Sequence, residues 1–173
     1  MRKMLIVLLL TSLAALAGCE RSTQPPLPTP IKMPTRPPPT STPVPKTDEE
    51  AIWQLLSAEK EAVLQQDIDR MLDIWDKDGE IVDANHTPDD PKDDRIWKGH
   101  EAIRDRYVTI VFPSAPDEAS APEAEITIEG DKATAISTTH IGTEVSPSGD
   151  RWTFAKKDGR WKITSLTYNL EPK

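Results

Sequence analysis

The sequence predicts an α+β domain over residues 47–173, with helices first along the chain and antiparallel strands last. Apolar residues recur at helical spacing over residues 47–78 and again after Gly99. Short stretches that alternate apolar and polar residues follow over residues 123–170, with turn sequences such as Asp158-Gly159 between them. Helices followed by antiparallel hairpins indicate helices packed against one face of a curved sheet.

The first two helices are marked by their caps. Thr47 and Glu50 have the residue types and spacing of a capping box, so the first helix is predicted to run from Thr47 to about Gln66. Asp67 is predicted to cap a second helix that ends at Asp78-Gly79. The apolar face of this second helix would consist of Ile68, Met71, Leu72 and Trp75.

A third helix is predicted after a strand over residues 80–85. It begins at Gly99 and stops at Pro113, because proline has no backbone N–H with which to continue the helix. Its apolar face would consist of Ile103, Tyr107, Ile110 and Val111. Four further strands are predicted over residues 123–129, 132–143, 151–156 and 160–170.

The alternation of apolar and polar residues changes phase within the last strand. Trp161 and Ile163 have one parity, whereas Leu166 and Tyr168 have the other. A β-bulge near Thr164-Ser165 would bring both pairs to the same face of the sheet and would bend the strand.

Residues 1–18 have the pattern of a signal peptide. Arg2 and Lys3 precede an apolar run over residues 5–16, which is shorter than the ~20 residues that a membrane-spanning helix needs. The stretch Leu16-Ala17-Gly18-Cys19 contains the single cysteine of the chain and resembles the lipobox of bacterial lipoproteins. The resemblance implies cleavage before Cys19, acylation of its thiol and insertion of the acyl chains into membrane lipid.

Residues 19–46 are predicted to be an extended, proline-rich linker. They contain Pro37-Pro38-Pro39 and many Thr and Ser residues, and they lack a periodic apolar pattern. The linker would hold residues 47–173 in the cell envelope, on the extracytoplasmic side of a bacterial membrane. Glu20 is not the aspartate associated with inner-membrane retention, so an outer membrane is the expected location where one exists. Glycosylation of the linker and binding of its prolines by a partner domain remain open.

The folded domain is acidic. Residues 47–173 contain 15 basic and 28 acidic residues, a formal balance of −13. A groove that follows a phosphate backbone needs clustered Lys and Arg, so nucleic acid is excluded as a partner. The histidine spacing does not match a zinc site, and neither Asp89-Asp90 nor Asp93-Asp94 has the spacing of a calcium loop. The sequence therefore predicts no metal and no organic cofactor.

Several motifs of residues 47–173 together resemble the NTF2-like superfamily, in particular its SnoaL-like branch. They are Asp67-Ile68-Asp69, Leu72-Asp73-Ile74-Trp75, Asp78-Gly79-Glu80-Ile81, Trp97-Lys98-Gly99 with Ala102-Ile103, and Asp158-Gly159-Arg160-Trp161-Lys162-Ile163. The resemblance implies a cone, in which three N-terminal helices and a curved, mainly antiparallel sheet enclose a pocket, and commonly a homodimer through the outer sheet face. It implies no reaction, because the superfamily includes isomerases, cyclases, hydrolases, dehydratases and proteins that only bind or assemble.

Asp83 is the candidate catalytic residue. It lies where a resemblance to ketosteroid isomerases places the general-base aspartate, which moves a proton beside a carbonyl. The position of that enzyme's oxyanion-hole tyrosine falls on Glu59, and no second aspartate matches near Trp152. Two interpretations of Asp83 therefore stay open: an acid-base residue, or a solvated or hydrogen-bonded carboxylate at the end of a strand.

Glu59 and His140 each have a structural and a functional interpretation. Glu59 could point into the cone, where it would pair with His140 or bind a polar ligand group, but the sequence slightly favours a surface charge within Ala58-Glu59-Lys60-Glu61. His140 is a second candidate catalytic residue, since histidine titrates near neutral pH. A lone histidine on a strand is more often a hydrogen-bonded structural residue.

The aromatic residues suggest a ligand. The chain has five tryptophans, all of them within residues 47–173, and a tryptophan-rich core is the simplest explanation. The alternative is a pocket for a small apolar or sugar-like ligand, lined by Trp97, Tyr107, Trp152 and Tyr168 together with Glu59. The sequence thus predicts a binding or interaction module, with a SnoaL-like enzyme that uses Asp83 as the alternative.

Overall fold

A computed structural model describes residues 44–115, 123–138 and 149–171. Its helices are α1 (Asp48–Gln65), α2 (Ile68–Ile74) and α3 (Gly99–Arg106); α3 continues through a π-helical turn (Tyr107–Val111) and a last helical turn (Phe112–Ser114). Its strands are β1 (Trp75–Asp83), β2 (Arg95–Lys98), β3 (Ala124–Glu129), β4 (Lys132–Ser137), β5 (Asp150–Lys157) and β6 (Arg160–Tyr168). No helix within these residues is long and apolar enough to cross a membrane.

The strands form one six-stranded sheet in the order β2-β1-β6-β5-β4-β3. Neighbouring strands are antiparallel except for β1 and β6, which are parallel. The predicted α+β class and the mainly antiparallel sheet are confirmed. Of the predicted strand over residues 132–143, the structure describes residues 132–138, and the remaining positions lie outside the described residues.

Both predicted helix caps are present. The Thr47 hydroxyl oxygen accepts a hydrogen bond from the Glu50 backbone N–H at 3.1 Å, and the Asp67 carboxylate accepts one from the Arg70 backbone N–H at 3.2 Å. Each cap satisfies one of the N–H groups that have no partner within the first turn of a helix. The local sequence was therefore sufficient to locate the starts of α1 and α2.

The second helix is shorter than its apolar spacing predicts. Trp75 was expected to be the last residue of the helical apolar face, but α2 ends at Ile74 and Trp75 begins β1. Trp75 pairs with Ile163 of the parallel strand β6, and the register between β1 and β6 shifts before Glu80. Pairing with a strand far along the sequence thus overrides the local helical pattern.

The strand β2 was not predicted. Its four residues pair with the end of β1, where Trp97 lies opposite Ile81 and Arg95 lies opposite Asp83. The segment is short and contains two basic residues, so its sequence has little strand character. This edge pairing brings Arg95 and Trp97 next to the candidate residue Asp83.

The third helix buries three of the four residues predicted for its apolar face, Ile103, Tyr107 and Val111. The fourth, Ile110, is 37% exposed, and Phe112 is buried in addition. The π-helical turn over Tyr107–Val111 adds a residue to the turn, which rotates Ile110 outward. The adjacent residues Arg106 and Tyr107, at the start of this turn, are both buried.

The predicted bulge in the last strand is confirmed. Ser165 pairs with Thr153 and Ile163 pairs with Phe154, so Thr164 is left without a cross-strand partner in the β5–β6 ladder. The extra residue reverses the alternation of β6. Trp161 and Ile163 before the bulge, and Leu166 and Tyr168 after it, are accordingly all buried.

The sheet has two different faces. The interior face carries the buried row Ile81, Leu166, Trp152 and Ala135, which joins buried side chains of the helices in one core. The outer face carries Ile96 and Ile136, which are 56% and 52% exposed. The candidate site residues lie on or against the interior face.

Candidate functional site

Glu59 and Tyr107 form a buried pair between two helices. Glu59 is 1% exposed, and its Oε1 accepts a hydrogen bond from the Tyr107 hydroxyl at 2.7 Å. The surface position that the sequence favoured for Glu59 is therefore wrong. Glu59 lies three residues after Leu56 and four before Val63, so helical geometry places it on the same buried face of α1 as these two apolar residues.

Arg106 is a buried charge that the sequence analysis missed. The residue is 1% exposed, and its guanidinium carbon lies 5.1 Å from the ring centroid of Trp97, 5.6 Å from that of Tyr107 and 4.8 Å from that of Tyr168. A guanidinium among aromatic faces is stabilised by cation–π attraction. Arg106 follows Ile103 by three residues, and this helical spacing was the sequence signal for its burial. Without knowledge of the π-helical turn, however, an arginine in an apolar stripe is not recognised as a buried residue.

Trp152 lies at the centre of the interior face, and its indole N–H has a hydrogen-bond partner. Its Nε1 donates to the Ser137 hydroxyl oxygen at 2.9 Å, and both side chains are buried. Ser137 pairs across the strands with Asp150, which is also buried. Sequence reasoning identified Trp152 but not Ser137, which lies within the predicted strand over residues 132–143, or Asp150, which directly precedes the predicted strand over residues 151–156.

We call Glu59, Arg106, Tyr107, Trp152 and Tyr168 the interior cluster. Its members are all buried. They come from α1, α3 with its π-helical turn, β5 and β6, so only the folded chain brings them together. Of the aromatic residues predicted to line a pocket, three belong to this cluster, and Trp97 lies at its edge.

Asp83 lies at the rim of the interior face, at the last position of β1. It is half-buried, and its Oδ1 accepts hydrogen bonds from the Asn85 backbone N–H at 2.9 Å and from Asn169 Nδ2 at 2.8 Å. Both donors are amide N–H groups, which hold the carboxylate in position but do not exchange protons with it at neutral pH. In the sheet Asp83 lies beside Tyr168 of β6 and Arg95 of β2.

Arg95 and Trp97 complete this region, which we call the rim together with Asp83. Trp97 is half-buried and Arg95 is exposed. The Arg95 guanidinium carbon lies 4.6 Å from the centroid of the Trp97 ring. The Trp97 ring therefore has two guanidinium groups near it, one from the exposed Arg95 and one from the buried Arg106.

Carboxylates with displaced pKa values lie at the opposite end of β1. Burial raises the pKa of Asp76, but its bonds to Lys157 at 2.6 Å and to the Asp78 N–H outweigh burial and lower the pKa below its usual range. The same bond to Asp76 raises the pKa of Lys157. Hydrogen bonds from Lys156 and Trp161 lower the pKa of Asp48.

Two predicted site residues, His140 and Cys19, lie outside the described residues, as does any pairing of His140 with Glu59. Within residues 44–115, 123–138 and 149–171, no group of three or more His, Cys, Asp or Glu side chains is arranged to hold a metal ion. The polar groups of the site are thus two carboxylates, two guanidinium groups, tyrosine hydroxyls and amides.

Comparison with solved structures identifies the fold. The domain is similar to an NTF2-like protein with a cystatin-like fold from Novosphingobium aromaticivorans, with a TM-score of 0.54, 20% identity, and coverage of 69% of this chain and 79% of that one. A cystatin-like-fold protein of unknown function from Nostoc punctiforme gives a TM-score of 0.53 at 19% identity, covering 70% of this chain and 89% of that one.

An enzyme is also among the similar structures. It is a hexachlorocyclohexane dehydrochlorinase from Novosphingobium barchaimii, with a TM-score of 0.51, 20% identity, and coverage of 69% of this chain and 83% of that one. No protein-family model and no curated protein matches the sequence. The structural neighbours agree with the resemblance seen in the sequence motifs, and the described domain has the NTF2-like fold.

Proposed function

We propose that residues 47–173 form a small-molecule-binding module, held on the extracytoplasmic side of a bacterial membrane by acylated Cys19 and the linker over residues 19–46. The observation that carries the binding role is the state of the two carboxylates on the interior side. Glu59 is buried and bonded to Tyr107, and Asp83 is held by two amide donors. Within the described residues, the hydrogen-bond donors to Asp83 include no titratable group.

The buried pair of Glu59 and Tyr107 is suited to stabilising the fold and not to catalysing a reaction. A general acid or base must reach the substrate within hydrogen-bond distance and exchange a proton with it. Glu59 is covered by the surrounding core, and its bonded oxygen faces Tyr107. The interior cluster thus supports the floor of a binding site, while contact with a ligand falls to the half-buried residues of the rim.

The rim has the composition of a site for a small ring-shaped molecule. Trp97 offers a partly accessible indole, which binds apolar rings and the apolar faces of sugars. Asp83 and Asn169 beside it supply a carboxylate and an amide that fix the orientation of a ligand. An apolar or sugar-like ligand is therefore the proposed occupant.

The ligand is sought by mass spectrometry of the full-length protein purified from its native membrane. A small molecule released on denaturation, and absent from a Trp97→Ala preparation, would support the binding module. A preparation that carries no small molecule and binds none from the native envelope extract would contradict it. The Ile128→Ala protein is the matched control, because that side chain lies on the distant edge strand β3.

The membrane anchor rests on the lipobox and on the linker. Cys19→Ser removes the only thiol of the chain and with it the acceptor for acylation. The variant is expected to leave the membrane fraction, because acyl chains contribute about 0.8 kcal/mol per buried methylene. Partitioning into a detergent phase and the intact mass measure this. If the wild-type and Cys19→Ser proteins partition equally and neither carries an acyl chain, the protein is not a lipoprotein.

A homodimer through the outer sheet face is part of the proposal. Ile96 and Ile136 are exposed there, and the row between them consists of the uncharged Val82 and Thr167 and the charged Arg151. Ile136→Lys would place a charge in this surface and is expected to shift the protein to monomer in sedimentation analysis. An unchanged mass in solution would contradict a dimer through this face.

The enzyme alternative is favoured by one observation. Asp83 is half-buried on the interior side beside Tyr168, in a fold that also occurs in a dehydrochlorinase. Asp83→Asn retains the shape of the side chain and removes its basicity. An enzyme would lose turnover of its substrate with little change in stability, whereas a binding module would show only a modest change in affinity.

A further inference from the structure

We infer that the ligand of this module is an uncharged sugar ring, a pyranose with equatorial hydroxyl groups, whose apolar face binds to Trp97 and whose hydroxyls bind to the polar side chains beside it. These side chains are Asp83, Arg95 and Asn169. The inference rests on the proposed function, since it names the class of ligand for the same rim. It is carried by the common face of these side chains, by their unused hydrogen-bonding atoms, and by the balance of charge at the rim.

Trp97 and its polar neighbours lie on the same face of the sheet. Arg95 and Trp97 are two residues apart in β2, so their side chains leave the strand on one side. Asp83 lies directly opposite Arg95 in the antiparallel pair of β1 and β2, which places these two side chains on that same side. Asn169 follows the end of β6, and its Nδ2 donates to Asp83 Oδ1 at 2.8 Å. An indole thus adjoins a carboxylate, a guanidinium and an amide.

These polar side chains have hydrogen-bonding atoms that the chain does not use. Both hydrogen bonds that Asp83 accepts end on its Oδ1, and no described residue donates to its Oδ2. Within the part of the chain that the structure describes, Asn169 Oδ1 accepts no hydrogen bond and the Arg95 guanidinium donates none.

A ligand that covers the half-buried Asp83 and Asn169 must supply partners for these atoms, because a buried polar group without a hydrogen bond costs free energy. A purely apolar ring supplies no such partner. Hydroxyl groups around a ring can both donate, as Asp83 Oδ2 and Asn169 Oδ1 require, and accept, as the Arg95 guanidinium requires. The unused atoms of the rim therefore favour a hydroxylated ring over an apolar one.

The charges at the rim favour an uncharged ligand. An anion would lie beside the Asp83 carboxylate, on a domain whose formal balance is −13. A cation would meet the Arg95 guanidinium, whose carbon lies 4.6 Å from the centroid of the Trp97 ring. A neutral ligand avoids both repulsions. It can still bond to each charged group, and such bonds are stronger than those between two neutral groups.

A pyranose with equatorial hydroxyls has the shape that this arrangement needs. Its axial C–H bonds form apolar faces, and its hydroxyls project from the edge of the ring. When one face lies on the Trp97 indole, the hydroxyls at the edge are free to bond to the neighbouring polar side chains. The Arg95 side chain is exposed and turns on its flexible stem at little cost, so it can leave the indole and donate to a hydroxyl.

The experiment compares three probes with six-membered rings. Methyl β-D-glucopyranoside, cyclohexanol and methyl β-D-glucuronide are titrated into the full-length protein in a detergent without a sugar headgroup. Binding is followed by NMR at the indole N–H resonance of Trp97, which is identified by its absence from the Trp97→Leu protein. The glucoside is expected to bind about tenfold more tightly than cyclohexanol, because its additional hydroxyls bond to the rim. It should also bind more tightly than the glucuronide, whose carboxylate is repelled by Asp83.

Arg95→Met and Arg160→Met form a matched pair of variants. Arg95→Met keeps an unbranched side chain beside the indole and removes the guanidinium donors, so it should weaken glucoside binding about fivefold and leave cyclohexanol binding unchanged. Arg160 is an exposed arginine at the first position of β6, whereas the rim adjoins the last residue of that strand, Tyr168. Arg160→Met changes the net charge equally and is expected to leave the affinity for the glucoside unchanged.

Any of the following results would overturn the inference: no binding of the glucoside, equal affinities for the glucoside and cyclohexanol, tighter binding of the glucuronide than of the glucoside, or an equal loss in the Arg95→Met and Arg160→Met proteins. The native ligand separates this failure from that of the proposed function. An apolar or charged molecule released from the purified protein, and lost with Trp97→Ala, would leave the binding module standing and exclude an uncharged sugar. If no small molecule is released and the glucoside does not bind, both the module and the sugar are excluded.

Discussion

The interior cluster and the rim both lie on the side of the sheet that faces the helices, but their carboxylates are in opposite situations. Glu59 in the cluster is 1% exposed and bonded to Tyr107. Asp83 in the rim is half-buried and held by two amides of the chain. The comparison separates a region that is buried in the core from the region where we propose that a ligand binds, although both contain the residue types of a catalytic site.

The same contrast holds for the two arginines near Trp97. Arg106 is enclosed by three aromatic rings, so removing it would leave a gap in the core. Arg95 contacts the same indole from the solvent side. Burial, and not residue type, therefore indicates which charged group is available for recognition.

The largest expected effect comes from the central tryptophan. Trp152→Ala should lower the free energy of unfolding by about 3–5 kcal/mol, because it leaves a cavity and removes the donor to Ser137. Urea denaturation measures the change. Trp97→Ala, the corresponding truncation at the rim, is expected to cost less, and equal losses in the two variants would remove the distinction between the regions.

The next effect tests the buried pair. Tyr107→Phe should cost about 1–3 kcal/mol, because it leaves the Glu59 carboxylate buried without the tyrosine hydrogen bond. Replacing both partners, as Glu59→Leu with Tyr107→Phe, should recover much of this loss. If the double variant is no more stable than Tyr107→Phe, the cost does not come from the hydrogen bond that the Glu59 carboxylate loses.

A pH effect is expected at the end of β1 that is remote from the rim. The pKa of Asp76 is lowered below 3.8 in the folded protein, so acid protonates the unfolded state first and stability falls as the pH drops through that range. The pKa of Lys157 is raised above 10.5, so the pair weakens again in strong base. Thermal melting against pH should show both slopes reduced in Asp76→Asn, and unchanged slopes would exclude this pair as their source.

The smallest effect is expected at the rim. Asp83→Asn should change the free energy of unfolding by less than about 0.5 kcal/mol, because the amide oxygen can still accept from Asn85 and Asn169. Chemical denaturation of wild-type and variant proteins measures the difference. A loss as large as that of Tyr107→Phe would show that Asp83 is a structural carboxylate and not part of a ligand site.

Local sequence determined the features that depend on a few neighbouring residues. The caps at Thr47 and Asp67 need only a side-chain oxygen and the N–H groups three residues later. The bulge at Thr164 follows from the reversed alternation of apolar residues within one strand. The α+β class was also predictable from the order of helices and hairpins, and the NTF2-like fold from the resemblance of the sequence motifs to that superfamily.

Tertiary structure decided which residues share a site. Trp75 became a strand residue because Ile163 pairs with it, and Ile110 turned outward because of the π-helical turn. The burial of Glu59 and Arg106 required partners from other elements, since a charge is stable in the core only when groups distant in sequence satisfy it. The sequence by itself determined the fold class and the helix caps, whereas pairing and packing between distant elements determined β2, the start of β1 and the surroundings of each charged side chain.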